Sequence, residues 1–231
     1  MKFITVAGPP SSGKTLAMIN LIKLLKIDGI KVVVGKIDCL ETADGDIYKK
    51  RLGIPVVVGL SDYVCPDHYS AINGEEIFKF GKGHDADITI VETAGLCHRC
   101  APAIKGCLAI AVVDNLSGIN TPKKIGPMLT TADVIVITKG DMVSQAEREV
   151  FRANVRKVNH ECRIIEVNGL TGMGSLNLKR AVMDAPETDE LAGRRLRHDM
   201  PAAVCSYCEG ETRIGSDYQM GNVIKMDIKE V

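Results

Sequence analysis

The octapeptide Gly8-Pro9-Pro10-Ser11-Ser12-Gly13-Lys14-Thr15 satisfies G-x-x-x-x-G-K-[ST] at every fixed position. The pattern works only between a strand and a helix, because its backbone amides must be presented at a strand-to-helix turn. Both flanks are present. Residues 3–7 are an apolar run, and Leu16, Ile19, Leu21, Ile22, Leu24 and Leu25 follow in a helical pattern that ends near Gly29. Gly8 and Gly13, with Ser11 and Ser12 between them, permit a curl that turns N–H groups inward toward phosphate oxygens. The helix N-terminus adds its dipole. Lys14 supplies a charge for the β- and γ-phosphates, and Thr15 a hydroxyl for Mg²⁺.

Six further segments read as strands, at residues 32–37, 54–60, 87–91, 108–113, 133–137 and 163–167, the first two as apolar runs. Continuous apolar runs mark strands buried on both faces, as parallel sheets require. The expected fold is therefore α/β, of the P-loop NTPase kind: a mostly parallel sheet of about seven strands flanked by helices. This domain is assigned to residues 1–184. Residues 185–201 are rich in Pro, Asp, Glu, Arg and Gly and read as a linker or exposed arm. It leads into a small cysteine-containing C-terminal extension, so that 185–231 form a second unit in which residues 223–228 read as a strand. Formal net charge is zero and no basic block stands out, so neither nucleic acid nor an anionic membrane is expected as a partner. No apolar run is long enough to span a bilayer. The N-terminus runs directly into the first strand, which predicts no signal peptide and a cytoplasmic location.

Ligands in open α/β sheets bind beyond the carboxyl ends of the strands. Asp38 stands at such an end, followed by Thr42, Asp44 and Asp46; Glu92 stands at another, with Gly95 three residues on. An acidic residue here holds or orients Mg²⁺ and the attacking water, and a glycine N–H meets the γ-phosphate. Lys14, Asp38 and Glu92 are thus the catalytic candidates, and Thr15, Asp38 and Glu92 the Mg²⁺ candidates. Thr138-Lys139-Gly140-Asp141 follows the sixth expected strand and fits the [NT]-K-x-D pattern that reads guanine. A carboxylate at Asp141 accepts from the guanine N1–H and 2-amino group, a pair adenine lacks, while the Lys139 stem packs over the base. The expected nucleotide is GTP rather than ATP.

Eight cysteines are many for 231 residues. In a reducing compartment they read as metal ligands or redox groups before disulfides. Cys65-Pro66-Asp67-His68 places a thiol and an imidazole within one turn at a helix start, a donor pair suited to Ni²⁺ or Zn²⁺. Cys97-His98-Arg99-Cys100 lies where a nucleotide switch is expected, directly after Gly95. It can ligate a metal, hold an Fe–S cluster, exchange thiols or simply pack as small apolar groups. Cys205 and Cys208 form a second C-x-x-C, which needs partners from elsewhere to complete a four-ligand site.

Taken in order, these motifs resemble those of the metal-insertion GTPases that mature hydrogenase and urease, a branch of the SIMIBI P-loop class. The phosphate loop, the Asp38–Thr42–Asp44 segment, Glu92-x-x-Gly95 and Lys139-x-Asp141 each have a counterpart there. Cys65-Pro66-Asp67-His68 is similar to the urease chaperone's Cys-Pro-His nickel site with one residue inserted. Residues 168–174 resemble the S-A-x-T-G-x-G loop whose backbone meets guanine O6. Asn168 and Gly169 replace its Ser and Ala, so only backbone roles carry over to Asn168, Gly169 and Leu170. The resemblance spans about residues 1–184. It implies GTP hydrolysis with Mg²⁺ and a homodimer that binds a transition metal between subunits. It further implies nucleotide-dependent delivery, nickel being the expected metal, to a client metalloenzyme or maturation partner. Two other readings share the same motifs. A nucleotide-driven Fe–S redox activator would be brown when purified without oxygen. A small-molecule kinase would make a phosphorylated product without using its thiols.

Overall fold

The computed structural model describes residues 1–95, 102–198, 210–219 and 221–228. Among them, one sheet is built from β1 (Lys2–Ala7), β2 (Val32–Asp38), β3 (Val56–Leu60), β4 (Ile88–Thr93), β5 (Leu108–Asp114), β6 (Val134–Thr138) and β7 (Arg163–Val167). The order is β3-β2-β4-β1-β5-β6-β7, and all six pairings are parallel. This is the expected α/β architecture. The helices are α1 (Lys14–Ile27), α2 (Asp44–Leu52), α3 (Pro66–Gly83), α4 (Thr121–Lys124), α5 (Pro127–Thr130), α6 (Gln145–Val158) and α7 (Ser175–Met183).

Burial follows position in the sheet. Every residue of β5 and β6 is buried, whereas the edge strand β7 exposes Arg163 and Glu166. Side chains alternate faces along a strand. Ile110 and Val112 of β5 join the core under α1, α2 and α7. Ala109, Ala111 and Val113 face the opposite way, against α5 and α6. Phe3, Ile37, Val57 and Val91 make a third cluster under α3. Each fully buried Leu or Ile, such as Leu21, Ile22 and Leu25 of α1, contributes about 1.5–3 kcal/mol relative to exposure.

Two expectations for the C-terminal part are corrected. Residues 185–198 are not an exposed arm. Thr188 is 0% exposed and Leu191 1%, and Leu191 and Leu196 join the cluster under α3. Few apolar residues suffice because Arg197 pins the segment. Its guanidinium pairs with Asp133 at 2.7 and 2.8 Å and donates to the carbonyls of Ile104, Cys107 and Thr131. Residues 223–228 form no strand. A side chain takes the place of a strand partner: Asn73 of α3 donates to Ile224 O at 3.0 Å and accepts from Met226 N at 2.8 Å. Met226 then rests on Gly59, where an added Cβ would stand 3.0 Å from its terminal methyl.

Candidate nucleotide site

The glycine loop joins the end of β1 to the start of α1 at the centre of the sheet. Ser11 (φ 60°) and Gly13 (φ 86°) adopt left-handed backbone there. The loop is gripped from two sides. A Cβ at Gly8 would lie 2.2 Å from Val112 O, and one at Gly95 would lie 1.8 Å from Gly8 O. Lys14 Nζ folds back onto the loop, donating to Gly8 O at 2.8 Å and Pro9 O at 3.0 Å. Burial lowers its pKa to about 8; the Glu92 charge opposes this and Lys36 adds to it. The buried Ser12 hydroxyl has no hydrogen-bond partner among the described residues, as expected of a group waiting for a ligand oxygen.

Beside the loop lies a cavity of about 360 Å³ lined by Lys14, Thr15, Lys36, Asp38, Asp44 and Glu92, with Pro10, Ser11 and Ala94 at its margin. Thr15 Oγ1 is 2.9 Å from Glu92 Oε1 and 3.1 Å from Asp44 Oδ2. Lys36 Nζ donates to Glu92 Oε1 at 2.8 Å and lies 2.9 Å from Asp44 Oδ2 and 3.6 Å from Asp38 Oδ2. Tyr48 donates its hydroxyl to Glu92 Oε2. Burial works to lower the Lys36 pKa, but Glu92 and Asp44 outweigh it and hold the ammonium above its ordinary value. The Tyr48 phenol is pushed well up by burial and by the Glu92 charge. Asp38 Oδ1 accepts from Cys39 N at 2.9 Å, which aims the half-buried carboxylate at the cavity.

Thr15, Asp38 and Glu92, the Mg²⁺ candidates of the sequence, come together at this cavity. Asp44 joins them through the helical turn that starts α2; Asp46 is exposed and points elsewhere. Lys36 and Tyr48 were missed. Lys36 interrupts an apolar strand run, and that interruption was the available signal. A hydroxyl with flanking carboxylates is a hard-oxygen set of the kind Mg²⁺ takes along with water and substrate phosphates.

A second cavity of about 200 Å³ adjoins the loop, lined by Leu16, Lys139, Asp141, Asn168, Gly169 and Leu170 together with Gly13 and Thr138. Two bonds tie its floor to the phosphate loop. Thr138 Oγ1 donates to Ser12 O at 2.6 Å and Lys139 Nζ to Ser11 O at 2.7 Å. Lys139 holds a left-handed backbone (φ 56°), and Asn115 donates to Thr138 O at 2.9 Å. Asp141 is exposed at the rim. It does not cap α6, because Ser144 does so with Glu147 in a capping box. Asn168 Oδ1 accepts from the N–H groups of Leu170 and Thr171, both at 2.9 Å, and Asn20 of α1 donates to Gly169 O at 2.8 Å. The Leu170 amide is thus engaged within its own loop.

The thiol and imidazole candidates are less gathered. Cys65 is the N-cap of α3, and His68 lies one turn on, buried, its Nε2 3.0 Å from Asn222 O. Burial lowers the His68 pKa against that hydrogen bond. Cys97, His98, Cys100, Cys205 and Cys208 lie outside the described residues. Among the described residues, no three His, Cys, Asp or Glu side chains converge to hold a metal ion by themselves. Cys107 is buried, 3.7 Å from the Thr188 hydroxyl, and serves as packing.

A parallel sheet with the G-x-x-x-x-G-K-T loop at the end of its central strand, beside an acidic cavity and a second pocket, defines a P-loop nucleotide-binding protein. Residues 2–166 match the family model described as CobW/HypB/UreG, nucleotide-binding domain, and the chain belongs to that family. It is 50% identical over 227 residues to the uncharacterized protein MJ0120 of Methanocaldococcus jannaschii, covering 98% of this chain and 97% of that one. The urease accessory protein UreG of Yersinia enterocolitica is 28% identical over 195 residues, covering 78% and 87%. In fold, the chain is similar to HypB of Helicobacter pylori, crystallised in complex with nickel. That match has a TM-score of 0.66 at 19% identity and covers 82% of this chain and 91% of that one.

Proposed function

We propose that the protein is a GTPase that binds a transition metal, nickel or zinc, and delivers it to a client metalloenzyme in a nucleotide-dependent way. The observation that carries this reading is the bonding of Thr138 and Lys139 to Ser12 and Ser11, which makes the base pocket and the phosphate loop one unit within a member of the CobW/HypB/UreG family. The Lys14 ammonium and the loop amides bind the β- and γ-phosphates, and Ser12 Oγ gains an acceptor or donor there. Thr15, with Asp44, Glu92 and Asp38, would hold Mg²⁺, which supplies charge neutralisation on the phosphates. Glu92 is fully buried and engaged by Thr15, Lys36 and Tyr48, so besides its charge toward the ion it orients Thr15. Asp38, half-exposed at the cavity, positions the attacking water. Asp141 selects guanine. Cys65 and His68, together with Cys97, His98 and Cys100, bind the delivered metal, two copies of the chain sharing it. Cys205 and Cys208 are assigned as accessory ligands, and the location is assigned as cytoplasmic.

The test has two arms. Asp141→Asn is expected to weaken GTP binding at least about tenfold while leaving ATP binding unchanged, since a bond to a charged group is lost; an unaltered GTP/ATP ratio rejects guanine recognition. Metal content and solution mass, measured with and without a non-hydrolysable GTP analogue after oxygen-free purification, test delivery. One Ni or Zn per dimer that moves with nucleotide agrees with the proposal. A bound Fe–S cluster or the absence of metal in both states rejects it.

A further inference from the structure

Lys36 stands where a cation is needed. It comes from β2 between buried Gly35 and Ile37, and its side chain is 3% exposed. Glu92 Oε1 and Asp44 Oδ2, which it contacts at 2.8 and 2.9 Å, are the same atoms that Thr15 Oγ1 reaches at 2.9 and 3.1 Å. A divalent ion bound to Thr15 needs those oxygens too. Without a cation, Glu92 at 0% exposure and its two acidic neighbours would repel one another in a poorly screened site. With both an ammonium and a divalent ion, the positive charges would repel at short range unless further anions entered. A nucleoside triphosphate brings such anions.

We propose that Lys36 is a tethered cation that occupies the Asp38–Asp44–Glu92 carboxylates in place of Mg²⁺, so that the divalent ion enters only together with its nucleotide. The proposal rests on the nucleotide-site reading above and assigns Lys36 as a positioning residue. Two features of the geometry favour it. The ammonium approaches from the sheet side, while Asp38 and Asp44 keep 26% and 29% of their side chains open to the cavity from which nucleotide arrives. Lys14, the other buried lysine of the cavity, is bonded to loop carbonyls rather than to any of the three carboxylates, so Lys36 supplies their closest positive charge.

The test is titration of the full chain with Mn²⁺, read by electron paramagnetic resonance, with and without a non-hydrolysable GTP analogue. Wild type is expected to bind Mn²⁺ at least about tenfold more tightly with the analogue than without. Lys36→Met is expected to bind Mn²⁺ without nucleotide at least about tenfold more tightly than wild type, and to melt at a higher temperature when Mn²⁺ is added. Lys36→Arg, which keeps the charge, is expected to behave as wild type in both readouts. A Lys36→Met protein with wild-type Mn²⁺ affinity, while the analogue still tightens Mn²⁺ binding to wild type, overturns this proposal alone. Absence of Mn²⁺ binding in every arm overturns the nucleotide-site reading and this proposal with it. Should Lys36→Met not fold, Lys36→Gln carries the same measurements. If neither folds even in Mn²⁺, a divalent ion does not replace the ammonium and the proposal fails.

Discussion

Three donors converge on the two oxygens of Glu92: the Thr15 hydroxyl and the Lys36 ammonium on one, the Tyr48 phenol on the other. A fully buried carboxylate is tolerated only with such company. Tyr48→Phe removes one donor and leaves Glu92 Oε2 unsatisfied. It is expected to lower stability by about 1–3 kcal/mol, measured as a reduced urea midpoint of the nucleotide-free protein. An unchanged midpoint would mean that water replaces the phenol. At this scale the sequence was only partly readable. Thr15, Asp38 and Glu92 announce themselves because each sits at a strand end or in a motif of fixed spacing. Lys36 does not, since a lysine within an apolar strand run carries no sign of which neighbours its long stem reaches. Tyr48 sits inside α2, where an aromatic reads as core, and only the packing of that helix on α1 and β3 directs its hydroxyl to Glu92.

Among the elements, the end of β4 is mechanically joined to the phosphate loop. Gly95 has φ 68°, and an added Cβ would lie 1.8 Å from Gly8 O. No rotamer relieves a clash with backbone, so the loop itself must move. Gly95→Ala is therefore expected to weaken GTP binding at least about tenfold, because the left-handed backbone alone costs roughly 1–2 kcal/mol for a residue with a Cβ. Isothermal titration decides this, and wild-type affinity would show that the loop tolerates the shift. Strands were the most legible elements, since burial on both faces leaves continuous apolar runs such as residues 108–113. The segment at residues 223–228 misled for a different reason. Ile224 and Met226 alternate with the exposed Lys225 and Asp227 as in a half-buried strand, yet it is the side chain of Asn73 that holds them. Residues 185–198 misled in the opposite sense: their anchors are one buried threonine, two leucines and the Arg197 clasp, too sparse to register as a pattern.

For the whole molecule, the described C-terminal residues wrap the α3 side of the sheet. Ile214 and Met226 join the cluster there, and Asn222 O meets His68. Asn73 is the fastening, so Asn73→Ala is expected to lose about 1 kcal/mol per hydrogen bond removed and to speed proteolytic cleavage near residues 221–228 in the intact protein. Equal cleavage rates for variant and wild type would assign the fastening to Met226 and Ile214 instead. The central position of β1 also bears on how the chain is made. Its sheet neighbours are β4 and β5, which begin at Ile88 and Leu108. During synthesis the strand that carries the glycine loop emerges before both of its sheet neighbours and waits, with both edges open, until β4 and β5 have left the ribosome. Long-range parallel pairing of this kind is slow. A growing chain in this interval depends on α1 for cover, and truncation before Ile88 is expected to leave an apolar fragment for chaperones to hold.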